Sequence, residues 1–169
     1  RAAVRVLLGR YAGTSPSAIR LVTSARGRPL PAPGTPAEGL TFSVSHSGGR
    51  VLLAFCRGLA VGVDVELVRS RVDVEAIARR YFSRLEAESF FSLPAPGRVE
   101  AFFAAWTRKE AFVKALGEGL SCPLDGFTVS VEPDRSPRLA LAPAGLDPGE
   151  WSLHDIEAGP GCRAALAVR

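Results

Sequence analysis

Hydrophobic positions along this 169-residue chain follow two rhythms, and the switch between them marks its organisation. Val4, Leu7, Leu8 and Tyr11 recur at helical spacing, so residues 2–11 are expected to be helical. Residues 19–22 suit a short strand, after which Gly27-Arg28-Pro29 interrupts the chain. Positions 29–39 hold four prolines and two glycines, which predicts a loop without regular structure. Residues 40–45 and 51–55 read as strands on either side of Gly48-Gly49, a hairpin signal, and 60–67 as a further strand. From 72 to 115 the period becomes helical, with Val74, Ile77, Ala78 and Tyr81 forming one stripe. Ser83 is the expected N-cap of the next helix, with Glu86 at the capping-box position. A Pro/Gly turn over 93–97 then precedes a long helix, 99–116, closed by Gly117. Residues 127–131, 138–141, 151–156 and 163–168 are strand-like. Strands, then helices, then strands again predict an α+β fold with antiparallel sheet.

Composition narrows the class. A chain that is 47% hydrophobic and 22% charged suits one compact soluble domain with a real core. Its apolar runs, such as 51–56, fall far short of the roughly 20 residues of a membrane span, and the N-terminus carries no signal pattern. Cys56, Cys122 and Cys162 are odd in number and widely spaced, which predicts reduced thiols in a cytoplasmic protein rather than a zinc site or disulfide frame. Methionine is absent, so the chain is expected to be part of a longer protein. The net charge of +4 is mild and the arginines are scattered, which argues against nucleic-acid binding and favours an anionic ligand or an acidic protein partner.

Chemistry concentrates in two places. Only two lysines occur, Lys109 and Lys114, both in the predicted long helix. Five residues apart, they point about 140° apart around a helix of 3.6 residues per turn. Trp106, Glu110, Lys114 and Gly117 line one side of it. A carboxylate with a lysine one turn away is either a routine surface pair or a phosphoryl-transfer kit, and the neighbouring indole implies a partly buried face. In the strand over 61–66, valines alternate with Gly62, Asp64 and Glu66, which sends valines to one face and acids to the other. The two carboxylates would stand roughly 7 Å apart, suited to a hard cation such as Mg2+ or to a solvated strand edge. His46, between Ser45 and Ser47 and before a glycine turn, suits an anion-binding loop.

These segments, in this order, resemble 4′-phosphopantetheinyl transferases of the surfactin-synthetase-activating type. The matching pieces are Gly27-Arg-Pro29, Phe42-Ser-Val-Ser-His-Ser-Gly48, Val61-Gly-Val-Asp-Val-Glu66, the stretch from Phe103 through Trp106, Lys109, Glu110 and Lys114 to Leu120, and Pro123-Leu-Asp-Gly-Phe127. The joint occurrence of Gly-Val-Asp and Trp-x-x-Lys-Glu-Ala-x-x-Lys is what makes the resemblance specific. It implies a pseudo-dimer of two similar α+β halves, here an incomplete first half over 1–60 and a second half over 61–169 carrying the metal site. It implies Asp64, Glu66 and Glu110 as Mg2+ ligands and Lys114 on the coenzyme A pyrophosphate. Arg28, where lysine is usual, would join Ser45 and His46 on the nucleotide and its 3′-phosphate.

The expected activity is transfer of 4′-phosphopantetheine from coenzyme A to a serine of an apo carrier protein, with Glu110 and Lys114 as catalytic residues. The chain is expected to work as a monomer. Arg69, Arg71, Arg79 and Arg80, which follow the acidic strand, are candidate contacts for an acidic carrier. The alternative is a catalytically inactive relative that binds coenzyme A or carrier domains.

Overall fold

The structure, a computed structural model, describes residues 2–117, 119 and 122–169; Glu118 and Leu120 of the long-helix motif lie outside the described residues. The chain opens with α1 (Ala2–Ala12), followed by β1 (Leu21–Thr23) and β2 (Pro29–Pro31), a hairpin β3 (Leu40–Ser47) and β4 (Arg50–Arg57), and β5 (Val61–Leu67). Three helices come next, α2 (Val74–Tyr81), α3 (Arg84–Ser92) and α4 (Ala95–Leu116), then β6 (Thr128–Val129), β7 (Leu139–Leu141), β8 (Ser152–Asp155) and β9 (Cys162–Val168). The α+β architecture with antiparallel pairing agrees with the reading of the sequence. No described helix is long and apolar enough to cross a membrane.

Two boundaries differ from expectation for identifiable reasons. The proline-rich stretch is not wholly irregular, because Pro29 and Pro31 pair with Thr23 and Leu21. Main-chain bonds Ser24 N to Arg28 O and Ala32 N to Arg20 O fix the bonded positions of this ribbon. Both prolines therefore fall at the alternate positions, where no N–H is needed. The long helix begins at Ala95 rather than 99, since a proline in the first turn forfeits only an N–H that has no helical partner. The expected α3 capping box is present, with Ser83 Oγ accepting from Glu86 N and Glu86 returning the bond to Ser83 N.

Two apolar clusters form. Val4, Leu8, Ile19, Ala37, Leu40 and Phe42 pack together in the first third. The larger cluster runs from Val74 to Ala167 and includes Phe90, Phe102, Phe112, Phe127 and Trp151. Helix α4 lies across the sheet β5-β9-β8 and presents Ala111 and Ala115 to β5. That approach needs a glycine. A Cβ on Gly62 would stand 2.0 Å from Ala111 O and 2.4 Å from Ala115 N, inside any contact distance.

On its other edge β5 meets β3, but not through a main-chain ladder, since β3-β4 and β5-β9-β8 are separate sheets. Three serine hydroxyls bridge the strands instead. Ser43, Ser45 and Ser47 accept from the backbone N–H groups of Val63, Val65 and Leu67 at 3.1, 3.3 and 3.1 Å. Alternation puts the three serines on one side of β3, and the same alternation leaves Val44 and His46 exposed.

Candidate active site

The alternation read in the sequence holds on β5, where Val61, Val63 and Val65 are buried and Gly62, Asp64 and Glu66 take the opposite face. That face is the one α4 covers, so Asp64 is buried rather than solvated. Its Oδ1 is crowded: Ser45 Oγ donates to it at 2.7 Å and Lys114 Nζ at 2.6 Å. Lys114 Nζ also donates to Ser45 Oγ at 3.0 Å. Asp64 Oδ2 is buried without a hydrogen-bond partner. One residue pair further along, Ser47 Oγ donates to Glu66 Oε2 at 2.9 Å. The serines that fasten β3 to β5 thus also hold the carboxylates.

Glu110 is half-buried on α4, one turn before Lys114. Burial pushes its carboxyl above the ordinary range; the negative charges of Asp64 and Glu66 add to the rise and Lys114 opposes it. Lys114 turns to Asp64 and Ser45, a choice that helical spacing did not reveal. Trp106 stacks on Phe102 and meets Tyr81 edge-on, so its indole ties α4 to α2.

A metal would find hard oxygen donors here, which suits Mg2+. Asp64 Oδ2, buried without a hydrogen-bond partner, leaves a carboxylate oxygen that a cation could meet, and the charges of Asp64 and Glu66 add to the effect of burial on Glu110. The acids lie between β5 and α4 without converging, since among the described residues no three His, Cys, Asp or Glu side chains form a ligating cluster.

Arg28 sits beside this site as a clamp. Its guanidinium donates to Lys114 O at 2.8 Å and Ala115 O at 3.4 Å, and to Phe42 O at 2.9 Å and Val61 O at 3.1 Å. One side chain therefore joins the C-terminus of α4 to β3 and β5. A cation is favoured there by the helix dipole. Gly117 ends α4 with φ 72°, and a Cβ on it would press to 3.2 Å from Arg28 Nη1. Arg28, Lys114, Phe42, Gly117 and Gly119 line a cavity of about 270 Å³. Larger cavities lie elsewhere, beside β6 and beside α1, away from the acids. His46 is exposed on the outer face of β3 and does not line the cavity.

The sequence set Lys109 on a different side of the helix from Lys114 but did not show where it or Arg108 goes. Arg108 and Lys109 are both fully buried. Arg108 grips Asp155 at 2.9 and 2.6 Å and the Ser130 and Glu132 carbonyls at 2.8 and 3.0 Å. Lys109 Nζ meets Glu86 and the Phe127 carbonyl. The available signal was the setting of both charges among Phe102, Phe103, Phe112 and Val113, which leaves little of α4 to solvent.

A lysine and carboxylates thus stand on an α+β scaffold beside a cavity that the same lysine lines. A family model described as the 4′-phosphopantetheinyl transferase superfamily matches residues 60–165. The chain is 34% identical over 168 residues to the 4′-phosphopantetheinyl transferase HetI of Nostoc sp., covering 99% of this chain and 68% of that protein. It is 31% identical over 165 residues to the 4′-phosphopantetheinyl transferase Sfp of Bacillus subtilis, covering 98% and 70%. Among solved structures, holo-[acyl-carrier-protein] synthase of Thermotoga maritima superposes with a TM-score of 0.50 at 28% identity, over 64% of this chain and 61% of that one. The chain belongs to the 4′-phosphopantetheinyl transferase superfamily.

Proposed function

We propose that this chain moves the 4′-phosphopantetheine arm of coenzyme A onto a serine hydroxyl of an apo carrier protein, releasing adenosine 3′,5′-bisphosphate, with Mg2+ as cofactor. The observation that carries the reading is the meeting of Lys114 with Asp64 and Ser45 beside a cavity that Lys114 also lines, in a chain of this superfamily.

Asp64, Glu66 and Glu110 would hold the metal, whose charge would offset that of the pyrophosphate. Glu110 would take the serine proton directly or through a water, as a carboxylate placed one turn before Lys114 on α4. The serine oxygen bonds to the pantetheine-side phosphorus as the bond from that phosphorus to the leaving bisphosphate oxygen breaks. Lys114 donates to a phosphate oxygen as charge grows on the leaving group. The nucleotide and its 3′-phosphate would lie against Arg28, which would give up some of its carbonyl contacts to meet them, and near His46 on the exposed face of β3, outside the cavity itself. Ser45 acts there through the Lys114 ammonium that its hydroxyl accepts. Such work is mostly positioning and electrostatics.

Separate apolar clusters support reading 1–60 and 61–169 as two halves of a pseudo-dimer. We read the enzyme as a cytoplasmic monomer. Arg79 and Arg80 on α2, with Arg69 and Arg71 before it, suit an acidic carrier surface. Intact-mass spectrometry of apo carriers incubated with enzyme, coenzyme A and Mg2+ tests the reaction. A phosphopantetheine mass increase is expected; carrier or coenzyme A binding without it would identify an inactive binding relative instead.

A further inference from the structure

We propose that the Lys114 ammonium and a divalent cation compete for Asp64, so that cation binding drives Lys114 off the acid and into the neighbouring cavity. The inference rests on the proposed metal role of Asp64 and goes beyond it by assigning Lys114 two positions.

Asp64 is held in a single arrangement by its neighbours. Its Oδ1 takes Lys114 Nζ at 2.6 Å and Ser45 Oγ at 2.7 Å, and its Oδ2 is buried and unpartnered. The carboxylate side chain is 4% exposed and that of Lys114 is 30% exposed. A divalent cation arriving at Oδ2 would place two like-signed charges on one buried carboxylate. Their repulsion is weakly screened in such a setting. Asp64 cannot withdraw, because β5 is fixed between β9 and the serine bridge. Lys114 can. Its long stem belongs to the last turn of α4, and the ammonium's other open direction is the cavity it lines with Arg28, Phe42 and Gly117. Arg28 is spent on four main-chain carbonyls, whereas the Lys114 ammonium is held only by Asp64 and Ser45 side chains among the described residues and can change partners. The lysine is thus released for a phosphate oxygen when the acid carries a cation, and is held back otherwise.

The chain offers an internal control, because its only other lysine is buried on Glu86, away from this site. Protein labelled with 13C and 15N in lysine gives two side-chain signals, assigned with Lys114→Arg. On titration with Mg2+ at fixed pH, the Lys114 signal should move with the calorimetric binding midpoint while the Lys109 signal stays. Lys114→Gln should bind Mg2+ at least fivefold more tightly than wild type, the lower end of ordinary coupling between sites. Wild type that binds Mg2+ with the Lys114 signal unmoved would overturn the inference and leave the metal reading standing. So would a Lys114→Gln affinity equal to or weaker than wild type. If Mg2+ binding is no stronger in wild type than in Asp64→Asn, the metal reading itself falls, and the competition with it.

Discussion

Lys109 and Glu86 meet with both side chains completely buried, the ammonium lying 2.7 and 2.6 Å from the two carboxylate oxygens. The remaining hydrogen bonds among the described residues are to main chain, Phe127 O accepting from Lys109 and Glu86 accepting from Val129 N and Ser83 N, and the ammonium also lies over the Phe127 ring. Three elements, α3, α4 and β6, are pinned at one point. Removing one partner strands a buried charge, which costs about 3–5 kcal/mol. Lys109→Ala or Glu86→Ala should therefore lower the unfolding midpoint sharply in a denaturant titration. A paired Lys109→Met, Glu86→Leu variant should recover much of that loss; a cost of under about 1 kcal/mol for either single change would mean the pair is not buried as described.

Lys114 should behave differently from its fellow lysine. Lys114→Ala and Asp64→Asn are expected to reduce arm transfer a hundredfold or more, the scale of losing a positioned electrostatic group; Lys114→Ala, which leaves the buried Asp64 carboxylate without its counter-charge, should also lower the melting point. The check is transfer rate beside circular-dichroism melting for each variant. Retained transfer in either would remove that side chain from the chemistry.

Glu110 carries a cost in stability. Burial, with Asp64 and Glu66 adding to it, raises its folded-state pKa above the unfolded value. Between those two values the folded state binds more protons, so stability falls as pH rises through the window, and the ionised group opposes folding at neutral pH. Glu110→Gln should melt higher than wild type at pH 7 in the presence of a chelator. The advantage should shrink as pH falls toward about 4.3, the ordinary glutamate value. The same variant should lose transfer. Equal melting at pH 7 would contradict the electrostatic account.

Gly62→Ala tests the contact between β5 and α4. Its new methyl would meet Ala111 O and Ala115 N, both main-chain atoms that cannot swing aside. Overpacking of this kind costs typically 1–3 kcal/mol, occasionally more, and the shift would carry Lys114 with the helix. Reduced stability together with reduced transfer is expected; a wild-type melting point would show that the helix sits farther from the strand.

Arg79 is the probe of carrier docking. It is exposed, pairs with Glu75 at 3.3 Å and lies over Phe91. Arg79→Glu should weaken carrier affinity and flatten its dependence on salt, since exposed charges are screened over about 8 Å at physiological ionic strength. Unchanged affinity and slope across a salt series, with coenzyme A saturating, would take α2 out of the docking surface.

Much of this was legible in the sequence because it depends on local rules. Alternation placed Asp64 and Glu66 on one face, Ser83 and Glu86 announced a helix start, and Gly117 announced its end. The pairing of Pro29 and Pro31 was hidden because proline counts signal a loop whether or not a partner strand tolerates the missing N–H. Arg28 was read as a ligand contact, while its four carbonyl partners come from segments up to 87 residues away. Lys114 turning from Glu110 to Asp64 depended likewise on how closely α4 approaches β5. Glycine at 62 permits that closeness, but a lone glycine in a strand does not say which helix will come to it.

The serine bridge between β3 and β5 has a mechanical meaning for the acids. Main-chain ladders hold strands at a spacing that side chains scarcely influence, whereas here the fastening and the carboxylate supports are the same hydroxyls. Ser45 binds both Val65 N and Asp64, and Ser47 both Leu67 N and Glu66. The two strands cannot drift apart without letting go of the carboxylates, and the carboxylates cannot reorient without loosening the strands. Whatever draws the acids together will be felt as tension along the joint between β3 and β5.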